Sequence, residues 1–259
     1  MFFRKRATQP EHFDDPARTP AEFETAYAEL ARANRIFRLE DPYTRVFWQW
    51  FGEEHCRALT FLDVGAGDGW LGNAMEAWAR KLGWDWKVTN LDSNPVLLRL
   101  NRGGRNVIGS ALDLPFDDAS FDVVIASQMS HHLPDEAAVA QHFREAWRVA
   151  RHAVFITDTH RNAFIYGMLC ACLPFLRMRR VMINDGLMSV RRGWRRAEWI
   201  RLAECAGIPG AEISTYFASR IILRARKDLA AATRVASAAS EPYRAMDESC
   251  SAPRDRSLQ

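Results

Sequence analysis

The chain has 259 residues, 48% of them apolar and 26% charged, with a formal net charge of +3. That length suits one α/β domain with additions, and the apolar share is enough for a sizeable core. The small charge excess gives no argument for nucleic acid, and no run of about 18 uncharged apolar residues offers a spanning helix.

The start, Met1 to Arg6, is basic with no apolar run behind it, so no secretory signal is read. Cys56, Cys170, Cys172, Cys205 and Cys250 are scattered and odd in number, the pattern of a reducing, cytoplasmic compartment. The Cys170–Cys172 pair has no partners at zinc spacing, so no metal site is expected.

Residues 1–20 are polar and proline-containing and read as a loose segment. From residue 20 to about 39, Phe23, Tyr27, Leu30, Ala31 and Ile36 fall near helical spacing, with acids early and Arg32, Arg35 and Arg38 late. A second, aromatic helix follows over 43–51. Residues 1–52 are therefore expected to form a helical cap, either over a site or as a packing appendage.

The chain then alternates by type. Strands are predicted over 59–64, 86–91, 107–108, 121–126 and 153–157, with helices over 70–82, 95–102 and 135–150 between them. The alternation predicts an α/β fold with a mostly parallel sheet covered on both faces. Residues 161–195 break the rhythm. Phe164, Ile165, Met168, Leu169, Leu173, Phe175 and Leu176 make an apolar stretch interrupted by Pro174 and followed by Arg177, Arg179 and Arg180. This segment reads as an insertion or lid. Peripheral contact of 164–180 with an anionic bilayer is the less favoured reading. A helix over 196–206 and two closing strands over 213–217 and 220–225 complete a domain over 53–227. The Ala-, Ser- and Arg-rich residues 228–259 read as a flexible tail.

Gly65, Gly67 and Gly69 lie directly after a strand and before a helix, where glycines permit a tight turn and close approach to a ligand. Asp63 and Asp68 flank them and disfavour a pyrophosphate, hence a nicotinamide cofactor. A zwitterion such as S-adenosylmethionine (SAM) suits the loop better. Its ammonium can meet Asp63, and its carboxylate can meet backbone N–H groups at the helix start. Asp92, ending the next strand, can accept from both ribose hydroxyls; the competing reading is a helix cap before Pro95.

The stretch from Thr60 to about Asp158, two fifths of the chain, resembles the class I SAM-dependent methyltransferases. The likeness is strongest to the branch that includes the ubiquinone and menaquinone C-methyltransferases. Asp63-Val64-Gly65-Ala66-Gly67-Asp68-Gly69 looks like their first motif, and Asp92 falls at their ribose-binding acid. Gly109 to Phe116 and Ser120 to Val124 are similar to their adenine-side segment. The resemblance implies a Rossmann-like seven-stranded, mostly parallel sheet. It also implies SAM as cofactor, held by Asp63, Gly65, Ala66, Gly67, Asp92, Ser93, Ser110, Ala111, Leu112 and Ser127. Ser110 departs from the family, which usually has an Asp there, and this weakens the adenine contact.

In this fold the acceptor lies beyond the carboxyl end of the fourth strand, here Ser127-Gln128-Met129-Ser130-His131-His132. His131 and His132 are candidate bases, or else hold the loop by hydrogen bonds. His160, after the fifth strand, is a third candidate for base or substrate contact, or else exposed beside a helix cap. A whole-chain likeness to methyltransferases found beside bacterial polyketide and quinone-type pathways implies a small-molecule acceptor. O-methylation of an aromatic or long-chain hydroxylated compound is expected, with C-methylation of a quinone-type ring as the alternative. A nucleic-acid methyltransferase and a non-catalytic SAM-binding partner protein are rival classes. No nucleic-acid partner is expected, and monomer and homodimer stay open.

Overall fold

The computed structural model describes residues 3–15, 17–51, 58–101, 104–176 and 178–227. The expected tail over 228–259, the domain boundary at 53, and Arg177 lie outside the described residues.

Seven strands form one sheet: β1 (Ala58–Val64), β2 (Asp85–Asp92), β3 (Arg105–Ile108), β4 (Phe121–Ser127), β5 (Ala150–Thr159), β6 (Glu212–Tyr216) and β7 (Arg220–Arg226). Their spatial order is β3-β2-β1-β4-β5-β7-β6. β1 pairs in parallel with β2 on one side and β4 on the other, and β5 continues in parallel beyond β4. β7 is antiparallel to β5, and β6 to β7. The sheet is the Rossmann-like one expected. The order of winding reverses at β1, so a crevice opens beyond the carboxyl ends of β1 and β4, where ligands of such sheets bind.

The helices are α1 (Pro20–Ile36), α2 (Asp41–Phe51), α3 (Trp70–Lys81), α4 (Pro95–Leu100), α5 (Glu136–Val149), α6 (Ala163–Cys172), α7 (Arg180–Arg192) and α8 (Arg196–Cys205). α5 and α8 cover one sheet face through buried Val139, Phe143, Ala146, Trp199 and Leu202. α2 and α3 cover the other with Tyr43, Phe47, Leu71 and Met75, against Phe61, Trp86 and Phe155. Phe47 meets Phe61 and Phe155 at 5.5 Å between ring centroids, tilted and edge-on respectively, contacts that add to plain burial.

The cap helices are tied to the sheet by polar bonds as well. The Tyr43 hydroxyl donates to Ala126 O at 2.8 Å and lies 2.8 Å from Thr157 Oγ1. Arg220 donates to Leu39 O at 2.9 Å.

Two sequence expectations change. Residues 3–14 are not loose: Arg6 donates to Arg192 O, His131 O and Leu133 O, its guanidinium lies 4.3 Å from the centre of the Trp194 ring, and Ala7 N donates to Arg191 O. Within 161–195 stands a second helix, α7, which periodicity did not indicate. Gly186, Asn184 and Asp185 lower its propensity, and its register is set instead by buried Met182, Asp185, Val190 and Arg192. α6 buries only Ile165 among its residues, while Phe164 and Phe175 face outward. No helix among the described residues is long and apolar enough to cross a membrane.

Candidate active site

The glycine loop follows β1 and opens α3. Gly65 and Gly67 have φ of +71° and +57°, the left-handed region that glycine enters without strain. Each also lacks a Cβ for a reason of space. A Cβ on Gly65 would lie 2.7 Å from Met129 Cβ, and one on Gly67 would lie 2.8 Å from the Tyr27 ring. Thus α1 lays Tyr27 across the loop, and the segment after β4 lays Met129 against it.

Asp63, at the end of β1, is 1% exposed, and its Oδ2 has no hydrogen-bond partner. Burial, aided by the charges of Asp92 and Asp68, pushes its carboxyl up to about 8. A buried carboxylate in want of a partner at a glycine loop fits an ammonium group. Asp92 accepts from Gly67 N at 2.9 Å and from Asn94 N at 2.8 Å, and burial raises its carboxyl. Each of its oxygens keeps a lone pair for a ribose hydroxyl. The helix cap before Pro95 is Asn94, whose side chain accepts from Val96 N at 2.9 Å. The capping reading of Asp92 is thereby removed.

Several of the loop N–H groups expected to meet the methionine carboxylate are bonded within the protein. Gly65 N and Ala66 N donate to Leu91 O, Gly69 N to Ala66 O, and Trp70 N to Asp68. The Tyr27 hydroxyl stands over the loop, 3.3 Å from where a Gly67 Cβ would stand. Burial, with Asp92 and Asp68 nearby, holds the proton on that hydroxyl.

In the segment expected on the adenine side, Gly109 N donates to Asp92 O at 3.1 Å, which brings that segment beside Asp92. Ser110 is exposed, and its Oγ accepts from Leu112 N at 3.1 Å within a local turn. Ala111 and Leu112 are half-buried there. Ser93 is exposed beside Asp92, and Ser127 ends β4.

The three histidines separate. His131 is 2% exposed in a single 3-10 turn, Ser130–His132, directly after Met129. Its backbone N–H donates to Asp158 Oδ2 at 2.7 Å, and its Nδ1 lies 2.5 Å from Asp158 Oδ1. Its Nε2 has no hydrogen-bond partner and stands 3.4 Å from Glu11 Oε1. Burial disfavours a charged ring, yet Asp158 and Glu11 overcome it and push His131 up to about 10. His131 is therefore a held cation at neutral pH, and a base only after losing that proton. His132 is more exposed, with Nδ1 2.5 Å from Asp14 Oδ1. His160 stands apart, bonded through Nδ1 to Ala218 O at 2.8 Å and through its backbone N–H to Ser219 O. Asp158, Glu11 and Tyr27 escape a reading for site residues. Helical spacing places Tyr27 only on a helix, and Glu11 reaches His131 from a segment with no pattern at all.

Residues 62–156 match the family model described as "Methyltransferase domain". A demethylmenaquinone methyltransferase of Roseiflexus sp. (strain RS-1) is 32% identical over 128 residues, which is 48% of this chain and 46% of that protein. A second, from Roseiflexus castenholzii, is 38% identical over 80 residues, 31% of this chain and 26% of that one. The chain thus spans less than half the length of these relatives. A SAM-dependent methyltransferase structure from Aquifex aeolicus superposes at TM-score 0.51 and 16% identity, covering 81% of this chain and 98% of that one. A Pyrococcus horikoshii protein does so at TM-score 0.52 and 14% identity, covering 74% and 90%. These structures share the fold; the loop, its acids and the matched segment carry the rest. Residues 62–156 are a class I SAM-dependent methyltransferase domain.

Proposed function

We propose that the protein transfers the methyl group of SAM to a small-molecule acceptor carrying an ionisable hydroxyl, by O-methylation of an aromatic or long-chain hydroxylated compound. The observation that carries this reading is the buried His131–Asp158 pair set directly beside the loop that Met129 covers.

Bound SAM supplies an electrophilic methyl group on a sulfonium. Asp63 would hold the ammonium, the Tyr27 hydroxyl would donate to the carboxylate, and Asp92 would accept from the ribose hydroxyls. α1 lays Tyr27 over the loop, and Arg6 and Glu11 cover His131. Methyl transfer needs an aligned, electron-rich acceptor oxygen, and alignment alone is worth many orders of magnitude. Charged His131, fixed by Asp158 at both its backbone and its ring, would favour by its charge a phenol-type acceptor that binds as the phenolate, its proton having already passed to solvent. Asp158 acts as a positioning residue.

C-methylation of a quinol ring is the second reading, favoured by the names of the two Roseiflexus relatives. It draws on the same ionised hydroxyl, which activates the ring carbon beside it. The test is transfer from methyl-labelled SAM to a panel of phenols, quinols and hydroxylated polyketides, with the product's methyl position read by NMR. A methoxy product is expected. Methyl on ring carbon alone selects the second reading, and failure to bind SAM overturns both.

A further inference from the structure

We propose that Glu11, His131 and His132 form a binding site for a divalent transition-metal cation such as zinc, cobalt or iron(II), through two imidazole nitrogens and one carboxylate. One ring nitrogen of each histidine and a Glu11 carboxylate oxygen lie within 4.8 Å of one another. His131 Nε2 and Glu11 Oε1 are 3.4 Å apart. That is long for a hydrogen bond. It matches the separation of about 3.4 Å between two ligands that each sit about 2.1 Å from a tetrahedral zinc. His131 is 2% exposed, and its Nε2 is buried without a hydrogen-bond partner.

The surroundings are those of a metal site. A metal-binding histidine commonly anchors its other nitrogen on a carboxylate, which fixes the ring and raises its basicity. Here both do so: His131 Nδ1 on Asp158 Oδ1, and His132 Nδ1 on Asp14 Oδ1, each at 2.5 Å. Nε2 of each ring is then the nitrogen with a lone pair to give. Two histidines and one carboxylate suit zinc and iron(II) and leave coordination positions open.

Charge points the same way. The groups facing the cluster are the carboxylates of Glu11, Asp14, Asp158 and Asp185, against the guanidiniums of Arg6 and Arg192. Arg161, the next cation, is paired with Glu198. Carboxylates outnumber guanidiniums around the cluster, an excess that a divalent cation meets. Arg192 Nη1 lies 3.7 Å from Glu11 Oε1 but makes its close contact with Asp14, and Glu11 Oε1 accepts from Ser189 Oγ at 2.9 Å, which orients the carboxylate and leaves it a lone pair. Asp185 is engaged by the backbone N–H groups of His12 and Phe13 and holds the Glu11 turn in place.

The inference stands apart from the methyl-transfer reading, because binding is measured without SAM or acceptor. The experiment is a cobalt(II) titration of the untagged full chain, followed by visible d–d absorption and equilibrium dialysis. It is done in a Cys170→Ser/Cys172→Ser background, since those two thiols are free and exposed. One equivalent of cobalt at micromolar affinity, displaced by zinc, is expected. Glu11→Gln and His132→Ala should each weaken it tenfold or more; His132 is exposed enough for its loss to leave the fold intact. A tenfold loss in either variant supports the site. No cobalt bound at millimolar concentration, or unchanged affinity in both variants, overturns it.

Discussion

Binding of SAM should release a proton from Asp63. In the free protein this carboxyl is pushed up to about 8 by burial and by Asp92 and Asp68. Near pH 7 only about one site in ten is then ionised. An ammonium placed against Oδ2 restores the charged form, so about nine-tenths of a proton should leave per SAM bound near neutrality. Release should approach zero by about pH 9, where Asp63 is already ionised. The assay is titration calorimetry in buffers of different ionisation enthalpy, from about pH 6 to about pH 9. Between about pH 6 and about pH 8 the affinity should climb as ionisation ceases to oppose binding.

The sign for stability follows from the same shift. The folded state holds a proton that the unfolded chain gives up above its ordinary carboxyl range. The contribution of Asp63 to unliganded stability should therefore fall as pH rises from about 4 to about 8 and level off beyond. Saturating SAM should remove this slope. Asp63→Asn should abolish both the proton release and the slope, and weaken SAM by tenfold or more. A wild-type protein that binds SAM with no proton release anywhere in this range would refute the ammonium assignment.

Other outcomes follow from single contacts. Asp92→Ala should weaken SAM by about tenfold or more, the scale of a charged hydrogen bond, as read by calorimetry. Asp158→Asn should cost about 3 kcal/mol in urea unfolding, because it breaks a buried pair. It should also lower methyl transfer while SAM still binds. Gly67→Ala should cost about 1–2 kcal/mol for its left-handed φ, and it should displace Tyr27 and lower SAM affinity as well. His160→Ala should lose about 1 kcal/mol with the bond to Ala218 O and keep its rate of methyl transfer.

The sheet and the cofactor loop were legible in the chain because their signals are local. β1, α3 and β2 each declare themselves by periodicity over consecutive residues, and the glycines fall at the turn between the first two. Their ends move by only a residue or two in the structure, as with Trp70–Lys81. Asp63 and Asp92 are strand-end acids, and the alternation of strand and helix puts both at one edge of the sheet.

The rest of the site is made of long-range contacts that leave no local trace. Residues 3–14 carry no pattern, yet Arg6 closes on the carbonyls around His131, and Glu11 and Asp14 reach His131 and His132. α7 hides behind poor helix formers because its register comes from burial. Two of the loop N–H groups, those of Gly65 and Ala66, are taken by the carbonyl of Leu91 on the neighbouring strand. Adjacent in sequence, His131 and His132 look equivalent, and only the tertiary structure tells them apart. One ring is buried on Asp158 and charged; the other is exposed on Asp14. Residue order determined the sheet and set Asp63 and Asp92 at strand ends, since backbone periodicity is read over a few neighbours. Which side chains gather beyond the end of β4 was decided by packing, since the charges there are balanced by segments distant in the chain.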